Sequence, residues 1–206
     1  MFLYQRFFLL NQRDLLPADE KCKKIFTQSL YLTKSRHITS KHQLYAFDTG
    51  SSNIIFGMQP STGDLTPGFI DLRIRCNSGT TVSQVCIEYD IWILNNGDRS
   101  SSLNLSNSLN GVDYTDVSLL DFCTLELADL SGWDSILMST TISGLNVSDN
   151  DYFYLRWTTD DDAGLGARDE FGLDNISVSA IPVPAAVWLF GSGLIGLIGI
   201  ARRKKS

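Results

Sequence analysis

Val82-Ser83-Gln84-Val85-Cys86-Ile87-Glu88-Tyr89-Asp90-Ile91-Trp92-Ile93-Leu94 alternates apolar and polar side chains along its length. A period of two puts Val85, Ile87, Tyr89, Ile91 and Ile93 on one face of an extended strand. Glu88, Asp90 and Trp92 fall on the other face. One dry and one wet face is the pattern of an antiparallel sheet, because parallel strands are covered on both sides and lose the alternation. Just upstream, Phe69-Ile70-Asp71-Leu72-Arg73-Ile74-Arg75-Cys76 alternates in the same way. Asn77-Ser78-Gly79-Thr80 between the two runs is a turn signal, so the pair is expected to form a hairpin of long strands.

The same texture continues through the rest of residues 43–180. Asn95-Asn96-Gly97-Asp98 and Asn110-Gly111 mark turns on either side of the short run Leu103-Asn104-Leu105-Ser106. Residues 114–127 have room for one or two strands, and Asp134 to Ile142 reads as another, closed by Ser143-Gly144. Tyr152-Phe153-Tyr154-Leu155-Arg156-Trp157 is the clearest central strand, and Phe171 to Ala180 ends the domain. No window carries the 3.6-residue period of a soluble amphipathic helix. Short strands at this spacing with polar turns predict a mainly β, antiparallel, two-sheet sandwich.

Charge divides the chain into three parts. Residues 1–42 hold eight Lys or Arg and three acidic residues. Residues 43–184 hold five Arg, no Lys and twenty Asp or Glu, a net of −15, and the tail holds four bases and no acid. A domain at −15 offers none of the cationic surface that phosphate backbones require, so no nucleic-acid partner is expected. Both histidines, His37 and His42, precede the acidic part. That removes His-based triads, Cys–His pairs and His-ligated zinc from the domain. Of the four cysteines, Cys76, Cys86 and Cys123 lie in the domain and Cys22 before it, with no C-x-x-C spacing. Isolated buried thiols are the expected state.

Residues 1–42 make a poor signal peptide. Met1 to Leu10 is apolar but interrupted by Gln5 and Arg6, and no small-residue cleavage site follows. A second basic start at Lys23-Lys24 is broken by Lys34 and Arg36. The segment is expected to be atypical or misassigned, outside the sandwich.

The other end is ordered differently. Pro182-Val183-Pro184 holds the chain extended, because proline at these positions cannot continue a helix. Ala185 to Ala201 carries no charge and, as a helix, would be about 25 Å long, at the short end of what spans a bilayer core. Arg202, Arg203, Lys204 and Lys205 follow, and by the positive-inside rule they stay cytoplasmic. Trp188 lies near the outer end with Ala186 and Phe190, and Gly193, Gly196 and Gly199 leave notches for close helix packing. This arrangement of a proline motif (181–184), a hydrophobic helix (185–201) and a basic tail (202–206) resembles the PEP-CTERM sorting signal of Gram-negative bacteria. Val183 stands where that family's namesake Glu would be. The resemblance implies recognition by an exosortase with processing near Pro182, Val183, Pro184 and Ala185, transient anchoring in the inner membrane, and delivery to the envelope or extracellular matrix.

Residues 89–99, 154–157 and 169–178 (Asp-Glu-Phe-Gly-Leu-Asp-Asn-Ile-Ser-Val) resemble a jelly-roll module of bacterial secreted proteins. Within it three chemistries come into question. Asp160, Asp161, Asp162, Asp169 and Asp174 offer oxygen ligands of the kind Ca²⁺ takes, without the spacing of an EF-hand loop; the alternative is a solvated turn, and no other cofactor is indicated. Paired carboxylates for glycoside hydrolysis carry no signal among so many acids. Trp92, on the face away from Val85 and Ile91, is a candidate glycan contact, with Trp133 as a further candidate and Trp157 read as core. The expected function is a non-enzymatic exported matrix protein. The alternatives are a carbohydrate-binding sandwich acting on extracellular polysaccharide and, third, a secreted hydrolase.

Overall fold

In the computed structural model the described residues are 26–31, 44–50, 52–60, 67–129 and 131–181. The sorting-signal residues from Pro182 onward lie outside them, as does Cys22. Among the described residues eleven strands form two antiparallel sheets packed face to face. Sheet A has the order β1 (Phe26–Tyr31), β4 (Gly68–Cys76), β10 (Tyr152–Gly164), β6 (Arg99–Ser108) and β7 (Thr115–Asp116), with β8 (Phe122–Cys123) also on β6. Sheet B runs β2 (Leu44–Asp48), β3 (Ile54–Met58), β11 (Glu170–Ala180), β5 (Val82–Leu94) and β9 (Trp133–Val147).

The long alternating run is β5, and its apolar face is buried as the period requires: Val85, Ile87, Tyr89 and Ile91 have no exposed surface. Its expected partner is wrong, however. β4 pairs with β1 and β10 in sheet A, whereas β5 pairs with β11 and β9 in sheet B. The 77–80 turn therefore arches from one sheet to the other instead of closing a hairpin. The same crossing recurs from β5 to β6 and from β9 through β10 to β11, which gives the jelly-roll-like connectivity. Both strands must bury an apolar face, and facing each other across the core serves that need as well as lying side by side.

Three further differences concern boundaries. β1 lies within the segment expected to stand outside the sandwich, and extends sheet A along β4 from Phe26↔Cys76 to Tyr31↔Asp71. β9 does not stop at Ser143-Gly144 but continues to Val147. Of the three domain cysteines only Cys76 is buried; Cys86 is half-buried and Cys123 exposed.

The core between the sheets is apolar and aromatic. Trp157 on β10 is fully buried, between Ile70 of β4 and Leu105 of β6 in the ladder. It meets Tyr89 of the opposite sheet edge-on, with centroids 5.4 Å apart at 87°. Burial pushes the Tyr89 phenol up to about 12. Phe171 of β11 makes a second edge-on contact with Phe122, at 6.2 Å and 88°.

Candidate functional site

Because strand side chains alternate, the residues of sheet B that do not enter the core form one outer face. On β5 these are Cys86, Glu88, Asp90, Trp92 and Leu94. Pairing places Trp92 opposite Gly172 of β11 and Ser135 of β9, and Leu94 opposite Trp133. Gly172 in turn pairs with Gly57 of β3, and Gly57 with Tyr45 of β2. The two glycines leave a depression in mid-sheet that other side chains fill. A Cβ on Gly172 would sit 2.0 Å from Ile55 Cδ1, and one on Gly57 would sit 2.0 Å from Phe47 Cδ2. Ile55 is 2% exposed although it faces away from the inter-sheet core.

Phe47 organises what lies above. Its ring stacks on Tyr45 with centroids 5.0 Å apart at 21°, and meets Trp133 at 5.1 Å and 45°. β2 and β9 are the two edges of sheet B. Edge strands of a flat five-stranded sheet stand about 19 Å apart, too far for these two rings to touch. The sheet is therefore curled toward its outer face. The result is a concave face crossed by an aromatic shelf of Tyr45, Phe47 and Trp133, with Tyr45 39% exposed. Trp92 lies lower. It is half-buried, and its indole N–H is shielded with no partner among the described residues.

Beside the shelf is a polar row. Asp90 of β5 stands directly opposite Asp174 of β11. Two carboxylates facing each other across a ladder cost stability, so their presence calls for a role. A bulge follows at once: Asp174 pairs with Asp90 and Ser177 with Glu88, so Asn175 and Ile176 together oppose Tyr89. Asn175 has a φ of 51°. From that conformation its backbone N–H donates to Asp174 Oδ1 at 2.8 Å and its Nδ2 to Asp90 Oδ2 at 2.7 Å. One residue thus holds both carboxylates in place, at a left-handed backbone conformation that non-glycine residues rarely adopt.

Such a face can do what a sugar requires. Flat rings cover the apolar C–H face of a pyranose, while fixed acceptors take its hydroxyl protons. An open cleft of about 690 Å³ lies between the β6–β7 turn and β9, lined by residues such as Asn107, Ser108, Asp113, Thr115 and Thr140. It has no aromatic side chain and is the weaker candidate.

The five aspartates weighed as calcium ligands do not come together, and among the described residues no three metal-ligating acids do. Asp160 accepts from the N–H of Asp161. Asp161 is paired with Arg99 and Arg168, and those arginines, Arg99 first, hold its carboxyl below the usual range. Asp162 accepts from Ser102 Oγ and from the Cys123 thiol at 3.3 Å each. Asp174 belongs to the polar row. Asp169 is fully buried, taking the Gly97 N–H on Oδ1 at 3.2 Å, with Oδ2 unpartnered among the described residues.

Of the tryptophans, Trp92 faces outward as its strand parity requires, but as the half-buried floor of the site, and Trp157 is core. Trp133, which carries no parity in the sequence reading, is the shelf's far end. Tyr45 and Phe47 are not among the residues that the sequence reading marks. The available signal was the alternation of Leu44-Tyr45-Ala46-Phe47-Asp48, which lacks meaning until β2 is known to share a face with Trp133.

Two predictions arise directly. Gly57→Ala forces the Phe47 ring off its seat, since the added methyl would overlap ring carbons. It is expected to alter tryptophan emission through the Phe47–Trp133 contact and to destabilise by about 1–3 kcal/mol, read by denaturant melts with fluorescence detection. The second concerns Asp169, whose carboxyl is raised first by burial, as is that of Glu170. A carboxyl raised in the folded state favours folding below its unfolded value, and that contribution disappears as pH rises through the folded value. At neutral pH Asp169 is therefore a cost. Asp169→Asn keeps an acceptor for Gly97, and is expected to raise the thermal midpoint at pH 7 while changing it little at pH 4, as calorimetry at both pH values would show.

No family model matches the chain, and no curated protein matches it. Among solved structures, a family 28 carbohydrate-binding module specific for non-crystalline cellulose aligns at a TM-score of 0.44 and 9% identity, over 66% of this chain and 79% of that one. A family 27 carbohydrate-binding module that recognises mannan aligns at 0.45 and 13%, over 76% and 89%. A family 15 xylan-binding module aligns at 0.42 and 10%, over 86% and 96%. At that distance, function has to be read from this chain's own residues.

Proposed function

We propose that this chain is a non-enzymatic, exported glycan-binding sandwich. The reading rests on the aromatic shelf of Tyr45, Phe47 and Trp133 lying beside the Asp90–Asp174 pair on one concave face. Stacking rings next to fixed acceptors suit extracellular polysaccharide, so glycan binding ranks above the passive matrix role. Native-gel retardation of the full-length chain in mild detergent, against gels cast with a panel of polysaccharides, tests it. Retardation by at least one polymer is expected; mobility unchanged by every polymer overturns the reading.

The C-terminal segment completes the proposal. Handling of residues 181–206 by an exosortase would release the sandwich from the inner membrane toward the envelope or matrix. Mass spectrometry of the protein from its native host is expected to find a form lacking the hydrophobic helix and basic tail. Recovery of only the full-length chain, water-soluble in the cytosol, would exclude this route.

A further inference from the structure

We infer that the shelf takes an uncharged, hydroxyl-rich glycan and turns away polyuronates and sulfated chains. This inference rests on the glycan reading above and adds the class of ligand. Its basis is a division of charge between the sheets. β2, β3, β5, β9 and β11 contain no Lys or Arg at all. Arg73, Arg75, Arg99 and Arg156 all lie on sheet A strands. Arg168 precedes β11, but its Nη2 donates to Asp161 of β10 at 2.7 Å.

The outer face of sheet B presents Glu88, Asp90 and Asp174 instead. These groups are acceptors only, and suit sugar hydroxyls. Two donors beside the carboxylates are already committed or covered: Asn175 gives its Nδ2 and N–H to the two aspartates, and the Trp92 indole N–H is shielded. A uronate laid on the rings would thus bring like charge against Asp90 and Asp174, both held by Asn175, with no Lys or Arg on the five strands to offset it, and such juxtaposition is an effective way of rejecting a partner. A neutral chain meets no such opposition.

The test uses the full-length chain in mild detergent, with gels containing neutral polymers (a glucan, a mannan and a galactan) or a polyuronate, at low salt and at about 0.5 M salt. At least one neutral polymer is expected to bind with an affinity that salt changes by less than about twofold, because exposed charges play little part in it. The polyuronate is expected to bind at least about tenfold more weakly at low salt. The double variant Glu88→Gln, Asp90→Asn should narrow that gap several-fold without tightening the neutral polymer. Polyuronate binding as tight as the neutral polymer's, and lost with Trp133→Ala, overturns the inference while leaving the glycan reading intact. Polyuronate binding that survives Trp133→Ala places the acid away from the shelf and upholds the exclusion. Binding of neither class overturns the glycan reading and this inference with it.

Discussion

Trp157→Ala is expected to lower unfolding free energy by about 3–5 kcal/mol, because it empties the site of the bulkiest fully buried side chain among the described residues. The side chain has no exposed surface and contacts Tyr89 across the sandwich. Its strand is the middle of sheet A, with Ile70 on one side and Leu105 on the other. Truncation removes the transfer free energy of the indole and leaves a cavity that two anchored strands cannot close. Chemical denaturation should show a lower midpoint at unchanged slope, since the surface exposed on unfolding stays nearly the same. A loss below about 1 kcal/mol would mean that the two sheets do not pack as described.

Trp133→Ala is expected to weaken polysaccharide binding about tenfold or more while costing about 1 kcal/mol of stability. The residue begins an edge strand and is half-buried, so the core does not depend on it. It supplies one end of the shelf by meeting Phe47. Affinity electrophoresis and a thermal melt on the same variant separate the two effects. Trp92→Ala is the less discriminating change, because it removes the floor and is expected to lose binding and stability together. Binding that persists at wild-type strength in Trp133→Ala would remove the shelf from the ligand's path.

How much of this was legible beforehand depends on the range of the signal. Strand parity is local, so β5, β10 and β11 could be read from alternation alone, and Trp92 and Trp157 were assigned to the right faces. Pairing is not local. The 77–80 turn looks like a hairpin turn, yet it joins strands of different sheets, because turn chemistry determines that the chain reverses but not where the next strand lies. β7 and β8, two residues each, are held by β6 and have no signature of their own. The acidic cluster failed to converge for a related reason. Asp161 is drawn to Arg99, 62 residues away, while Asp169 takes the Gly97 N–H, 72 residues away, so neighbours in sequence answer to different distant partners.

The chain's own order of residues was enough to determine an antiparallel β protein with one dry face per strand, a strongly acidic domain without histidine, and a proline–apolar–basic C-terminus. Those properties depend on side-chain period and charge, which need no knowledge of folding partners. Only the tertiary structure decided that Tyr45, Phe47 and Trp133 share one face and that two glycines hollow it. It alone also set Asp90 against Asp174 and left sheet B without a cation. Each of these facts depends on register between strands distant in sequence, and register is settled by packing of the whole sandwich.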